Sequence, residues 1–227
     1  MPRLPNNRQR LAIVGATGSG KTTAAAWHLS QRDVDLMPWI VYDFKYDELI
    51  NSIEHAQQIT FDDPIPTRPG VYIIHPRSND DLAISDHMKR IWAAEDVGVF
   101  IDEMHMLGTA NVGFRDLLTQ GRSEYIPMIY CSQRPVWVDR FAFSEADFFH
   151  VFRLNHVGDR QTIAEYIQIP GVRNFEDHKI VTDIPPQYHS YYYDVARNEL
   201  EPVSPVPDHA AILDTFNTKL KRLHASI

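Results

Sequence analysis

Short apolar runs alternate with longer mixed segments along most of the chain. The apolar runs predict buried strands at residues 11–15, 39–44, 71–76, 97–103, 126–133 and 150–154. The segments between them predict helices at residues 21–31, 46–57, 80–96 and 159–167. Residues 189–195, HSYYYDV, predict a last strand at the edge of the sheet. Strands that alternate with helices indicate an α/β fold with a mostly parallel central sheet flanked by helices.

The pattern changes near the C-terminal end of the chain. Residues 201–207, EPVSPVP, are rich in proline and predict a semi-rigid linker. Asp208 can then cap a last helix, whose apolar stripe consists of Leu213, Phe216, Leu220, Leu223 and Ile227. The stripe is explained either by packing on the helix's own domain or by contact with a neighbouring subunit or another partner, and the sequence leaves both open. The predicted parts are a basic N-terminal arm (1–10), the α/β domain (11–200), the linker (201–207) and an amphipathic helix (208–227).

Composition and charge narrow the possible classes of protein. The 227 residues are 44 % apolar and 23 % charged, which is typical of a globular protein and not of a disordered one. A single cysteine, Cys131, excludes a disulfide framework. The apolar runs are too short for a membrane span, and the polar first ten residues do not resemble a secretory signal.

The charge is unevenly distributed along the chain. The net charge is −8, and the interval from Asp33 to Asp214 holds all 30 acidic residues but only 14 of the 22 basic ones. This acidic balance argues against a protein that covers DNA with its whole surface. Any contact with nucleic acid is therefore expected at the basic termini or at short loops.

The segment GATGSGKT at residues 15–22 matches the phosphate-binding P-loop pattern. It follows a predicted buried strand and opens a predicted helix, as a nucleotide-binding P-loop does. Its glycines allow tight curvature, Lys21 supplies a positive charge to the β- and γ-phosphates, and the Thr22 hydroxyl is a ligand for Mg²⁺. The predicted nucleotide-binding residues are Gly15, Ala16, Thr17, Gly18, Ser19, Gly20, Lys21, Thr22 and Thr23.

Two carboxylates, Asp102 and Glu103, end the apolar run VGVFIDE. Downstream of a P-loop this arrangement is typical of a Walker B strand. Asp102 would then hold Mg²⁺ together with Thr22, and Glu103 would orient and deprotonate the attacking water. A small-molecule kinase does not need a water-activating glutamate, so the pair favours hydrolysis over phosphoryl transfer.

Two further polar side chains are candidates for the same site. Gln133 ends the strand predicted at 126–133, where its amide can hydrogen-bond the γ-phosphate and the attacking water. Arg122 precedes that strand on a predicted turn, from which it could reach a neighbouring subunit's nucleotide as an arginine finger. The predicted catalytic set is therefore Lys21, Glu103, Gln133 and Arg122.

Three segments together resemble the FtsK–HerA group of DNA-pumping ATPases. They are the P-loop GATGSGKTT, the strand VGVFIDE and the run GRSEYIPMIYCSQRP, while VYDFKYDE at 41–48 is similar to the D-x-K element of the same group. The resemblance covers about residues 11–154 and implies a RecA-like P-loop NTPase fold. It also implies a hexameric ring that moves double-stranded DNA and uses ATP with Mg²⁺.

A chain with little more than the motor domain resembles, within this group, the genome-packaging ATPases of tectivirus-type viruses. The resemblance implies an ATP-hydrolysing translocase that packages double-stranded DNA into a preformed capsid. Capsid vertex proteins are then its expected partners, and the virion's packaging vertex or the host cytoplasm its expected location. The loop at 106–115 is a candidate for the lining of the ring's pore.

Two alternatives remain open at the level of sequence. A HerA-like cellular translocase would share the same motifs, and a P-loop nucleotide or small-molecule kinase would share the P-loop and Asp102. Phosphoryl transfer to a substrate, without any effect of DNA, would distinguish the kinase.

Overall fold

The computed structural model describes residues 2–77, 80–107, 111–121, 123, 126–172 and 174–225. The strands are β1 (Leu11–Val14), β2 (Pro38–Asp43), β3 (Gln57–Gln58), β4 (Gly70–Ile74), β5 (Gly98–Asp102), β6 (Met128–Ser132), β7 (Phe148–Phe152), β8 (Ser190–Asp194) and β9 (Glu199–Val203). The helices are α1 (Lys21–Gln31), α2 (Glu48–Asn51), α3 (Asp81–Ala94), α4 (Val112–Gln120), α5 (Phe141–Ser144), α6 (Val157–Ala164), α7 (Lys179–Thr182) and α8 (His209–Ala225).

The nine described strands form one sheet in the order β3-β4-β2-β5-β6-β1-β7-β8-β9. All pairs from β3 to β7 are parallel, and β8 and β9 are added as an antiparallel hairpin. The strands from β1 to β8 are buried on both faces, except for the short β3. The predicted α/β class with a mostly parallel sheet is therefore confirmed.

Helices cover both faces of the sheet, because side chains along each strand alternate between the faces. On one face, Ile40, Val99 and Ile101 share a core with residues of α3 and α4. On the other face, Ile13 and Val41 share a core with residues of α1 and α8. The site residues lie at the edge of these two cores, where the parallel strands end.

The helix predicted at 46–57 is wrong in length, because only α2, a single turn, forms there. The Asp43 carboxylate accepts hydrogen bonds from the backbone N–H groups of Lys45 and Asp47 and from the Asn51 side chain. Tyr46 has a positive φ of 56°, which an α-helix does not allow. A tight polar turn thus replaces the expected first helical turn.

The strand at Ser190–Asp194 was expected to be an edge strand, but β9 covers it. β9 has no alternation of apolar and polar residues, and most of it is exposed. Its formation also shortens the proline-rich segment, because residues 201–203 of the predicted linker belong to this strand.

The last helix packs on its own domain, which was one of the two open explanations of its apolar stripe. Phe216 and Leu220 are completely buried and join the core that includes α1. The predicted cap is confirmed, because the Asp208 carboxylate accepts a hydrogen bond from the Ala211 N–H at 2.9 Å. Lys219 Nζ donates to the Arg32 carbonyl at 2.6 Å.

Replacing Phe216 with alanine is expected to lower the free energy of unfolding by about 3–5 kcal/mol, because it leaves a cavity between α1 and α8. Chemical denaturation of the variant and of Thr218→Ala, an exposed control on the same helix, measures this difference. A loss below about 1 kcal/mol, the average for point mutations, would show that α8 is not an integral part of the core.

The N-terminal segment folds back on the domain, and several of its basic residues serve structural roles. Arg3 forms a two-point ion pair with Asp194 at 2.8 and 3.0 Å. Arg10 is buried and donates to the carbonyls of Leu117 and Leu118. The end of the chain that the sequence marks as basic thus offers less positive surface than a count of its residues suggests.

Candidate active site

The predicted Walker residues meet at the carboxyl edge of the parallel sheet. β6 lies between β1, which precedes the P-loop, and β5, which ends in Asp102. The residue after β6, Gln133, therefore stands between the two Walker elements. The start of the P-loop is fixed from both sides, because Gly15 N–H donates to the Ser132 carbonyl and Ala16 N–H to the Arg153 carbonyl.

The loop after β1 has the backbone that a phosphate cradle requires. Gly18 and Gly20 have φ values of 73° and 97°, which side chains rarely tolerate. A Cβ on Gly15 would lie 2.6 Å from the Cβ of Phe152, so glycine alone fits there. The N-terminus of α1 follows directly, and its free N–H groups and dipole favour an anion.

Lys21 connects this loop to the carboxylate of Glu103. Its side chain is buried, its Nζ donates to the Ala16 carbonyl at 3.3 Å, and it lies 3.9 Å from Glu103 Oε1. Burial lowers the pKa of Lys21, and the negative potential of nearby groups such as Asp102 opposes this shift. The ammonium group thus lies at the place where the β- and γ-phosphates of a P-loop nucleotide are expected.

Asp102 and Thr22 form a set of oxygen ligands that fits Mg²⁺. Asp102 Oδ1 accepts a hydrogen bond from Thr22 Oγ1 at 3.2 Å. The other oxygen, Oδ2, is buried and has no hydrogen-bond partner among the described residues. Burial raises the pKa of Asp102, while Lys45 and Thr22 act in the opposite direction. A bound divalent cation would satisfy the free oxygen and favour the charged form.

Glu103 is held in a strained and crowded position. Its φ of 67° lies in the left-handed region, which costs about 1–3 kcal/mol for a residue other than glycine and persists only where the surroundings impose it. The carboxylate is buried between three groups: Lys45 Nζ in contact with Oε1, Lys21 Nζ, and His105 Nδ1 at 3.1 Å from Oε2. The strand end and the following 3₁₀ turn at Met104–Leu107 fix its direction.

Gln133 links the P-loop to the surroundings of Glu103. Its Oε1 accepts a hydrogen bond from Thr17 Oγ1, and its Nε2 lies 3.5 Å from His105 Nε2. Burial, reinforced by the charge of Lys45, lowers the pKa of His105, so the ring is neutral near pH 7 and one of its nitrogens can accept a hydrogen bond. A change at the phosphates can therefore reach Glu103 through two side chains.

A groove of about 300 Å³ adjoins the P-loop near the end of β7, which lies on the other side of β1 from β6 and β5. It is lined by residues 16–19 and by Arg153, Asn155, Gln187 and Tyr188. The Tyr188 ring lies against the loop, because a Cβ built on Gly20 would meet it at 3.2 Å. An aromatic face with amide groups beside it suits a nucleoside.

The structure brings most of the predicted site residues together in one site. Of the others, one contacts a different element and the rest lie outside the described residues. Residues 15–22, Asp102, Glu103 and Gln133 come together as described above. The Thr23 hydroxyl lies 3.3 Å from His209 Nε2, at the start of α8. Arg122 lies outside the described residues, and so does part of the predicted pore loop, residues 108–110.

The sequence did not predict that three further residues belong to the site. Lys45 belongs to the D-x-K element quoted above, but the chain gives no sign that its amine reaches Glu103. His105 stands two residues after Glu103 and matches no motif of its own. Tyr188 lies 168 residues after Gly20 in the sequence, in a proline-rich loop that carries no motif.

No family model matches this chain. The DNA packaging ATPase P9 of Enterobacteria phage PRD1, however, is 43 % identical to it over 221 residues, which cover 97 % of each chain. The chain belongs to this P9 family of DNA packaging ATPases. The predicted resemblance to viral genome-packaging ATPases is therefore confirmed.

Solved structures agree with the P9 assignment at the level of the fold. The genome packaging NTPase B204 of Sulfolobus turreted icosahedral virus 2, in complex with AMPPCP, has a TM-score of 0.68 at 16 % identity and matches 89 % of this chain and all of its own. Its complex with ATP-gammaS gives a TM-score of 0.67. EssC from Geobacillus thermodenitrificans gives 0.62 at 11 % identity, with 96 % of this chain matched to 44 % of EssC. This member of the P9 family thus has the fold of P-loop packaging ATPases.

Proposed function

We propose that this chain hydrolyses ATP and uses the energy to move double-stranded DNA into a preformed viral capsid. The observation that supports this most is the placement of Glu103 beside a P-loop, next to Asp102 and within reach of the Gln133 network. A relative that is 43 % identical over nearly the whole chain is a DNA packaging ATPase. A water-activating carboxylate in this position fits hydrolysis better than transfer to a second substrate.

Each residue of the site has a role in the proposed reaction. Residues 15–20 wrap the phosphates with backbone N–H groups, and Lys21 neutralises the β- and γ-phosphates. Thr22 and Asp102 would hold Mg²⁺, which supplies charge neutralisation at the phosphates when it is bound. Glu103 takes a proton from the attacking water, and Gln133 orients that water against the γ-phosphate.

The groove beside Tyr188 would take the rest of the nucleotide. Its lining includes Arg153 and Asn155 after β7, whereas Glu103 follows β5 on the other side of β1. A nucleotide whose γ-phosphate faces Glu103 would therefore direct its ribose and base into the groove. The Tyr188 ring offers a face for stacking, and Asn155 and Gln187 offer hydrogen bonds.

The translocase is proposed to act as a hexameric ring around DNA, docked on proteins of the capsid vertex. Its location would be the packaging vertex of the virion or, before assembly, the host cytoplasm. Among the described residues, no helix combines the length and the apolar character needed to cross a membrane. In this ring Arg122 would contact the neighbouring subunit's γ-phosphate, an assignment that rests on its position in the sequence before β6.

Mixing Arg122→Ala and Lys21→Ala subunits tests whether Arg122 acts across a subunit boundary. An assembly of Arg122→Ala and Lys21→Ala subunits contains some interfaces with an intact Lys21 site and an intact Arg122 from the neighbour. Steady-state hydrolysis of the mixture is therefore expected to exceed that of either variant alone. A fully active Arg122→Ala protein, or a mixture without any recovered activity, would argue against the role.

Replacing Asp102 with asparagine is expected to raise the Mg²⁺ concentration for half-maximal hydrolysis by at least about tenfold, because it removes a charged ligand group. Chelation of Mg²⁺ should stop hydrolysis by the wild-type protein. Asp177→Asn, at an exposed position, serves as the control. An unchanged Mg²⁺ dependence in Asp102→Asn would remove Asp102 from the proposed metal site.

The main alternative is a P-loop kinase, and one comparison separates it from the translocase. ATP hydrolysis is measured with and without double-stranded DNA, and light scattering gives the particle mass under both conditions. The proposal predicts stimulation by DNA and a mass several times 26.2 kDa. A monomer that ignores DNA and transfers phosphate to a small molecule would overturn it.

A further inference from the structure

Lys45 makes the nearest cationic contact to the carboxylate of Glu103. Its Nζ contacts Glu103 Oε1, whereas Lys21 Nζ lies 3.9 Å from the same oxygen. Glu103 is only 1 % exposed, so water cannot stabilise its charge. A buried carboxylate that loses its partner is strongly disfavoured. Glu103 Oε1 is therefore held in place by these two lysines.

Nucleotide binding changes which of the two lysines is available to Glu103. In a P-loop the lysine serves the β- and γ-phosphates, so Lys21 has to be shared between Glu103 and the nucleotide. His105 Nδ1 lies near the other oxygen, but a neutral imidazole gives no permanent positive charge. Lys45 is the cation that remains dedicated to Glu103 during the reaction.

The fold places Lys45 in this position through the end of β2. β2 and β5 are neighbours, and Asp43 lies opposite Asp102 in their register. The Asp43 carboxylate accepts hydrogen bonds from the N–H groups of Lys45 and Asp47, which bends the chain toward the end of β5. Burial lowers the pKa of Lys45, and the potential of Asp102 and other acidic groups opposes this shift.

We propose that Lys45 is a positioning residue that, through the contact of its Nζ with Oε1, holds the Glu103 carboxylate directed at the attacking water, without contacting the nucleotide. The proposal rests on the proposed function, in which Glu103 activates water. It adds a residue at the end of β2 to the groups around Glu103, which otherwise follow β1, β5 and β6. It predicts that loss of Lys45 affects the chemical step and not the binding of ATP.

The first test compares Lys45→Met with Lys45→Arg in steady-state hydrolysis. Lys45→Met should lower kcat by about 10- to 100-fold, the range in which misplacement of a catalytic group acts, with KM for ATP within twofold of wild type. Lys45→Arg should recover at least a third of wild-type kcat, because it restores the charge. Lys89→Met is the matched control, since Lys89 has a similar exposed fraction and lies on α3 away from the site.

Binding measurements separate positioning from direct contact with the nucleotide. The Kd values of ADP and of a non-hydrolysable ATP analogue should both stay within twofold in Lys45→Met. Weaker binding of the analogue alone would place Lys45 on the γ-phosphate and overturn the proposal. Thermal unfolding verifies that each variant is folded, and Lys45→Gln replaces the methionine variant if that protein does not fold.

A double-mutant comparison tests whether Lys45 acts through Glu103. In a Glu103→Gln background, Lys45→Met should change kcat by less than twofold, because the carboxylate that Lys45 positions is already absent. A further tenfold loss would overturn the proposal. A wild-type protein without ATPase activity would instead contradict the proposed function, so the two failures are distinguishable.

Discussion

Glu103→Gln is expected to bind ATP normally and to hydrolyse it at least about 100-fold more slowly. General bases contribute about 10²- to 10⁴-fold, and glutamine keeps the shape of the side chain while it cannot accept a proton. Its amide can still contact the water, but Lys45 then faces a neutral group. The measurement is single-turnover hydrolysis, accompanied by the Kd of a non-hydrolysable ATP analogue.

The result is informative only if the variant keeps its fold. Glu176→Gln, at an exposed position in the 3₁₀ turn Phe175–Asp177, should hydrolyse ATP at the wild-type rate. Thermal unfolding of both variants checks the core. Hydrolysis by Glu103→Gln at the wild-type rate would show that another group activates the water.

Lys21→Ala is expected to weaken nucleotide binding and to lower kcat/KM by about 100- to 1,000-fold, the effect of removing one preorganised group that stabilises developing charge. Lys21 is buried within the P-loop, so no exposed side chain can replace it. Steady-state kinetics and nucleotide titration measure the two effects separately.

Lys179→Ala, which removes an exposed lysine from α7, is the matched control and should be indistinguishable from wild type. Lys21 also lies near Glu103, so part of the loss would come from a carboxylate with one cation fewer. An unaffected kcat/KM in Lys21→Ala would refute the nucleotide site itself.

The sequence predicted the fold well where apolar runs are long and buried on both sides. β1, β5 and β6 fall within the expected runs, and their polar ends give the site residues. The prediction failed where hydrogen bonds to a turn residue or to a neighbouring strand determine the backbone conformation. Asp43 turns the chain at residues 45–47 in place of the first turn of the expected helix, and His55, near its expected end, has a positive φ of 66°. β9 forms by pairing with β8 although its own sequence has no strand pattern.

The same distinction applies to the active site. Residues 15–22, Asp102 and Glu103 follow motifs that are continuous in the sequence, so their proximity could be predicted. The contacts of Lys45 and Tyr188 depend on which strands are neighbours and on how a late loop returns to the P-loop. Such contacts between distant segments cannot be derived from spacing.

The net charge of −8 does not show which basic side chains are available at the surface, and the structure does. Arg10 and Arg32 are buried and donate to backbone carbonyls, and Arg3 pairs with Asp194. These arginines stabilise the N-terminal segment on the domain. We therefore expect the surface that contacts DNA in the proposed ring to use other side chains than these.

Displacement of a third DNA strand tests the central claim most directly. A labelled oligonucleotide is bound as a triplex to a long duplex, and its release is followed after the protein and ATP are added. We predict release by the wild-type protein with ATP, and none with a non-hydrolysable analogue or with Glu103→Gln. Hydrolysis of ATP on the same duplex that leaves the third strand in place would contradict the account.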